Sequence, residues 1–139
     1  MSDENSLSLV VFAGGFDRVH YALVMASAAA ATNRKTTLFF TGRAVLALKA
    51  NHGWRELDPA DDGSSPSERD AHFGRSGLAE FEELLEACVA LGVTVMVCEM
   101  ALKAIGLEAA GLRDDVPVVA GGVVTFLNDA PAGGRMLFV

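Results

Sequence analysis

Apolar residues in this chain fall into two alternating rhythms. Short, almost uninterrupted apolar runs occur at Leu7–Ala13 (LSLVVFA), Thr36–Phe40, Val93–Cys98, Val116–Ala120 and Met136–Val139, each the length of a strand. Between them lie stretches of helical character: an Ala-rich segment from about Arg18 to Thr32, a short one from Arg43 to about Lys49, one that starts directly after Cys98, and one from about Val123 to Asn128. Leu78 to Leu91 has the clearest helical period, with Leu78, Phe81, Leu84, Leu85, Cys88 and Leu91 on one face, four glutamates between them and Gly92 as the stop. Runs that are apolar on both faces belong to strands covered by helices on two sides. The expectation is therefore a three-layer α/β/α fold with a mainly parallel five-stranded sheet. Asp17, after the Gly14-Gly15 break, is expected to cap the first helix.

Residues Asn51 to Ser76 depart from this rhythm. They are rich in Asp, Gly, Ser and Pro and poor in large apolar groups, so the expectation is a long surface loop, with room for a helical turn, within one domain spanning residues 1–139, either a lid or a tolerated insertion. Half of the chain is hydrophobic, yet no run approaches the roughly 20 residues of a membrane helix. The acidic start MSDENS lacks the basic and apolar parts of an export signal, so a cytoplasmic location without membrane partners is expected. A net charge of −7 argues against nucleic acid as a partner.

Ligands of parallel α/β sheets bind beyond the carboxyl ends of the strands, where four loops should gather. They supply Gly14, Gly15, Asp17 and His20; Thr41 with Arg43; Cys98 with Glu99; and Gly121 with Gly122. The glycines are read either as ordinary turns or as places where backbone approaches a small anion. Cys98 stands out, because a thiol between a strand end and a helix start meets free N–H groups that favour a thiolate, while the adjoining Glu99 opposes it. His20 is expected at the same edge, able to exchange a proton with that thiol. Cys88 ends the preceding helix at the opposite edge of the sheet. Six strand residues span roughly 17–20 Å, whereas a disulfide needs Cα atoms within about 7 Å, so the two thiols are not expected to pair. No Cys/His spacing suggests a metal site, and no cofactor is expected.

VMVCEMALKAIGL, Leu112 to Asp115, AGGVVTFLNDA and the terminal MLFV resemble the DsrE/DsrF-like family, and GGFDRVHYALVMASAAAATNRKTTLFFT resembles its opening strand, helix and second strand, particularly in the sulfur-carrier or peroxiredoxin-like branch. The resemblance implies a Rossmann-like, flavodoxin-like domain that forms homo-oligomers. It also implies a single cysteine, Cys98, that carries sulfane sulfur as a persulfide between donor and acceptor proteins or small thiols. Two other readings stand beside it: a noncatalytic module binding a small anion or nucleotide, and a structural or regulatory subunit of a homo-oligomer.

Overall fold

The computed structural model describes residues 5–139. Five strands, β1 (Leu7–Val11), β2 (Thr36–Phe40), β3 (Thr94–Cys98), β4 (Val118–Gly121) and β5 (Arg135–Phe138), form one parallel sheet in the order β4-β3-β2-β1-β5. The helices are α1 (Phe16–Ala31), α2 (Pro66–Arg75), α3 (Phe81–Ala90), α4 (Glu99–Ile105) and α5 (Val123–Asp129), with 3-10 segments at Gly42–Leu48, Gly53–Glu56 and Ala109–Gly111. The α/β architecture and the parallel sheet agree with the hydrophobic pattern. The strand order differs from the 2-1-3-4-5 of flavodoxin itself.

Topology dictates an unequal covering of the sheet. The steps from β1 to β4 all run in one direction, so right-handed crossovers place α1, α3 and α4 on one face; the return from β4 to β5 reverses, and α5 crosses the other face alone. Side-chain alternation sorts the strand residues accordingly. The row Leu9, Leu38, Val95 looks toward α1, and the neighbouring row Val10, Phe39, Met96 looks toward α5. Phe126 of α5 stacks on Phe39 with ring centroids 4.6 Å apart. It is the one buried residue of that helix.

Asn51 to Ser76 is not an irregular loop. Gly53–Glu56 and α2 fold onto α1 and α3, and Trp54 and Phe73 join Phe16 and Phe81 in an aromatic cluster whose ring centroids lie 5.2–6.5 Å apart where they meet. α2 is polar because most of it faces water, yet its start is well specified: Ser65 accepts a hydrogen bond from the Glu68 N–H, and Pro66 fills the first turn, where a missing N–H costs nothing. Asp70, on the inner side of α2, accepts from the Phe81 N–H at 2.7 Å and ties α2 to the start of α3. Burial pushes the Asp70 carboxyl above its ordinary value, against the pull of that hydrogen bond.

Smaller differences follow from local capping. The first helix starts at Phe16 with Gly15 at its cap, so Asp17 sits in the first turn rather than at the cap. The long Glu-rich helix starts at Phe81, where Glu83 accepts from the Glu80 N–H, and leaves Leu78 exposed outside it.

Candidate functional site

The carboxyl edge of the sheet brings together the ends of β1, β2 and β3. Cys98 closes β3 and occupies the N-cap position of α4, with extended backbone (φ −77°, ψ 117°) that carries the strand alternation to its last residue. Its side chain therefore belongs to the same face as Met96, the face crossed by α5. It pairs in register with Gly121, the residue from which β4 passes into α5. Cys98 is 2% exposed. Glu99, next to it, points into solvent.

Cys88 sits in a different environment. It is fully enclosed between α3 and α1, donates its S–H to the Leu23 carbonyl at 3.6 Å, and burial pushes its thiol up to about 11. Such a thiol is protonated at neutral pH and inert. Both cysteines are free, as the strand-length argument requires.

His20 does not join Cys98. Its Nε2 lies 2.9 Å from the Ala79 carbonyl oxygen and its ring stacks on Phe73 at 4.2 Å, which places it inside the α1–α2–α3 layer on the other side of the sheet. A proton exchange between the two is thereby excluded in this fold. The segment expected to be a loop is what holds His20, through Phe73.

The β1 loop is taken up by the chain itself. The Asp58 N–H donates to the Gly14 carbonyl at 2.8 Å and the Phe16 N–H donates to the Asp58 carbonyl at 3.0 Å, so the segment after Gly53–Glu56 is zippered along Gly14 and Gly15. Arg43, placed by the sequence in the second loop of this edge, forms an ion pair with the Asp58 carboxylate at 2.9 Å. A Cβ on Gly14 would stand 2.8 Å from the Arg43 Cβ, so glycine is required there by this packing. Asp17 accepts from the Asp61 N–H through Oδ2, and its buried Oδ1 has no partner. The Thr41 carbonyl accepts from the Ala44 N–H at the start of the 3-10 segment, and the Thr41 N–H donates to the Val11 carbonyl. Gly42 adopts φ +54°, with a Cβ position 2.9 Å from the Phe12 carbonyl oxygen, a second place where only glycine fits. Gly121 and Gly122 have no such constraint. A cavity of about 290 Å³ opens at this edge between Phe12, Gly14, Arg43, Ala101 and Ile105. Ala101 is one helical turn beyond Cys98, so the cavity begins beside the thiol's helix but is walled mostly by apolar groups.

Sequence reasoning missed a polar node on the covered face. Arg113 makes paired hydrogen bonds to Glu82 (2.6 and 3.0 Å) and to Asp115 (2.7 and 2.8 Å), the Trp54 Nε1–H donates to Glu82 at 2.8 Å, and His52 Nδ1 lies 3.7 Å from the same carboxylate. The hydrogen bonds from Arg113 hold both carboxyls below their ordinary values, and the two carboxylates in turn raise the guanidinium. Asn51 and His52 adopt positive φ (58° and 57°) where the chain turns into the node. The five residues come from three separate segments, His52 with Trp54, Glu82, and Arg113 with Asp115, and no local motif announces them. Among the described residues, no group of three or more His, Cys, Asp or Glu side chains is arranged to hold a metal ion, and no helix is long and apolar enough to cross a membrane.

A model of the DsrE/DsrF-like family matches residues 9–138. A Bacillus subtilis (strain 168) protein described as uncharacterized protein YrkE is 26% identical over 158 aligned positions, covering 95% of each chain. Among solved structures, a protein of unknown function, MTH1491 from Methanobacterium thermoautotrophicum, superposes with TM-score 0.64 at 14% identity, over 97% of this chain and 99% of that one. The ychN protein from E. coli superposes with TM-score 0.59 at 17% identity, over 96% and 99%. At these identities the two structures speak for the fold.

Proposed function

The chain belongs to the DsrE/DsrF-like family, and from that premise we propose that it relays sulfane sulfur through a persulfide on Cys98. The observation that carries this reading is the contrast between its two thiols: Cys88 is sealed and protonated, whereas Cys98 ends a strand at the edge where ligands of such sheets bind, on the face crossed by a helix whose one buried side chain is Phe126. A helix of seven residues with so little anchorage opens locally at low cost, which gives a donor access to a thiol that is covered on average.

The chemistry needs one cysteine and no external oxidant. The Cys98 thiolate attacks the outer sulfur of a donor persulfide, R–S–SH; a new S–S bond forms as the donor's S–S bond breaks, and R–S⁻ leaves and takes up the proton lost by Cys98. An acceptor thiolate then attacks the outer sulfur of Cys98–S–SH and expels the Cys98 thiolate. His20 has no part in either step. Donor and acceptor are thiol proteins or small thiols, and the cytoplasm is the compartment in which both cysteines stay reduced.

The reading includes assembly with copies of the same chain. Phe12, Val119, Met136 and Phe138 on the sheet, with Val123, Val124 and Leu127 on α5, are exposed on the α5 face, and soluble monomers rarely leave contiguous apolar patches of that kind open. The same patch also favours a second reading, a structural subunit in which Cys98 only packs.

Intact-mass measurement separates the two. After incubation with a small-molecule persulfide, the relay reading expects a reducible gain of one sulfur atom in the wild type and in Cys88→Ser, and none in Cys98→Ser. No adduct with the persulfide, with polysulfide or with thiosulfate leaves the structural reading in possession.

A further inference from the structure

At the opposite, amino-terminal edge of the sheet a cavity of about 480 Å³ lies between α1, β1 and β5. Its body is apolar, with Leu7, Met25 and Leu137 among its walls. Two guanidiniums, Arg34 and Arg135, stand at it, and Ser6 contributes a buried hydroxyl that finds no hydrogen-bond partner. Arg18, Arg43, Arg69 and Arg113 are paired with carboxylates, Asp61, Asp58, Asp62, and Glu82 with Asp115, whereas Arg34 spends one guanidinium N–H on the Thr32 hydroxyl. Among the described residues neither Arg34 nor Arg135 has a carboxylate partner. Two guanidiniums without a carboxylate partner among the described residues therefore line one apolar cavity together with a buried, unpartnered hydroxyl.

We propose that this cavity binds a small amphiphilic carboxylate, its hydrocarbon part against Leu7, Met25 and Leu137 and its anionic head between Arg34 and Arg135. The size lies within the range of small-molecule sites, and an apolar wall with a few convergent polar groups is their usual make-up. Guanidinium and carboxylate form paired hydrogen bonds of good geometry, and the unpartnered Ser6 hydroxyl supplies a further donor. The hydrocarbon part selects against inorganic anions, and the head selects against neutral lipids. The site is remote from Cys98, which closes β3 at the other edge, and is independent of the sulfur-relay reading.

Titration of the full-length protein with octanoate, followed by calorimetry and by amide chemical shifts, tests it. The expected result is saturable binding with shifts centred on Leu7, Ala28 and Leu137, no saturable binding of acetate or 1-octanol, and a loss of about tenfold or more in affinity in Arg34→Gln/Arg135→Gln. Met25→Trp, which fills the cavity, should abolish binding while circular dichroism reports a native fold. Unchanged octanoate affinity in the double arginine variant, equal affinity for 1-octanol, shifts centred on α5 instead, or no saturation at millimolar octanoate would each overturn the proposal.

Discussion

The two faces of the sheet teach different things. On one, α1, α2 and α3 with the Gly53–Glu56 segment bury Phe16, Trp54, Phe81 and Cys88 under a continuous cover. On the other, α5 crosses alone, and aromatic side chains as large as Phe12 (52% exposed) and Phe138 (72% exposed) stay in contact with water. Both faces are built from strands of the same apolar character, so the difference lies in the connections. Three crossovers return to one side and one to the other. One face is a finished core, and the second leaves large apolar side chains open to water, with Cys98 at the carboxyl edge of the sheet.

The largest expected effect lies on the covered face. Phe81→Ala opens a cavity in the aromatic cluster and should cost about 3–5 kcal/mol in a urea-unfolding measurement. An effect below about 1 kcal/mol would show that this face is no better packed than the other. Glu82→Ala removes the partner of Trp54 and Arg113, and a loss of about 1–2 kcal/mol at neutral pH is expected. Because Arg113 holds the folded carboxyl below its unfolded value, Glu82 stabilises the fold above that unfolded value, and the benefit is lost as pH falls through the lower, folded one. The variant's stability should therefore approach that of the wild type at acid pH; a difference independent of pH would contradict the ion-pair role. On the thinly covered face, Phe138→Ser should change monomer stability by about 0.5–1 kcal/mol, the worth of its contact with Phe12, while lowering the mass measured by light scattering. Unaltered mass would remove this face as the assembly surface.

Much of this contrast was legible before the fold was known, and the limits of legibility have physical causes. The five strands and the parallel sheet follow from apolar runs such as LSLVVFA and VTVMVC, where burial on both faces erases alternation. The separation of Cys88 from Cys98 followed from strand length alone. The covering segment at 51–76 reads as a loop in the sequence because α2 is mostly solvated, and few large apolar residues mark its inner side. Its signal was a capping pattern instead, Ser65, Pro66 and Glu68 in the order that starts a helix. The expectation for His20 rests on its place near the start of α1 at the carboxyl edge, and its ring turns instead toward Phe73 of α2 and the Ala79 carbonyl, contacts that no local pattern announces. The Asp58 segment that occupies Gly14 and Gly15, and the node around Arg113, depend on contacts between distant parts of the chain and leave no periodic trace. The bareness of the α5 face could be read only once the order β4-β3-β2-β1-β5 showed which crossover reverses.

The central claim, that Cys98 lies under a weakly held cover and Cys88 within a finished core, is tested most directly by alkylating the native protein with iodoacetamide over a range of urea concentrations and locating the label by peptide mass. Cys98 is predicted to react first, at a rate nearly insensitive to urea below the unfolding transition, because only α5 must open, with Cys88 labelled at the rate of global unfolding. Labelling of the two thiols together, with the same steep dependence on urea, or of Cys88 first, would contradict it.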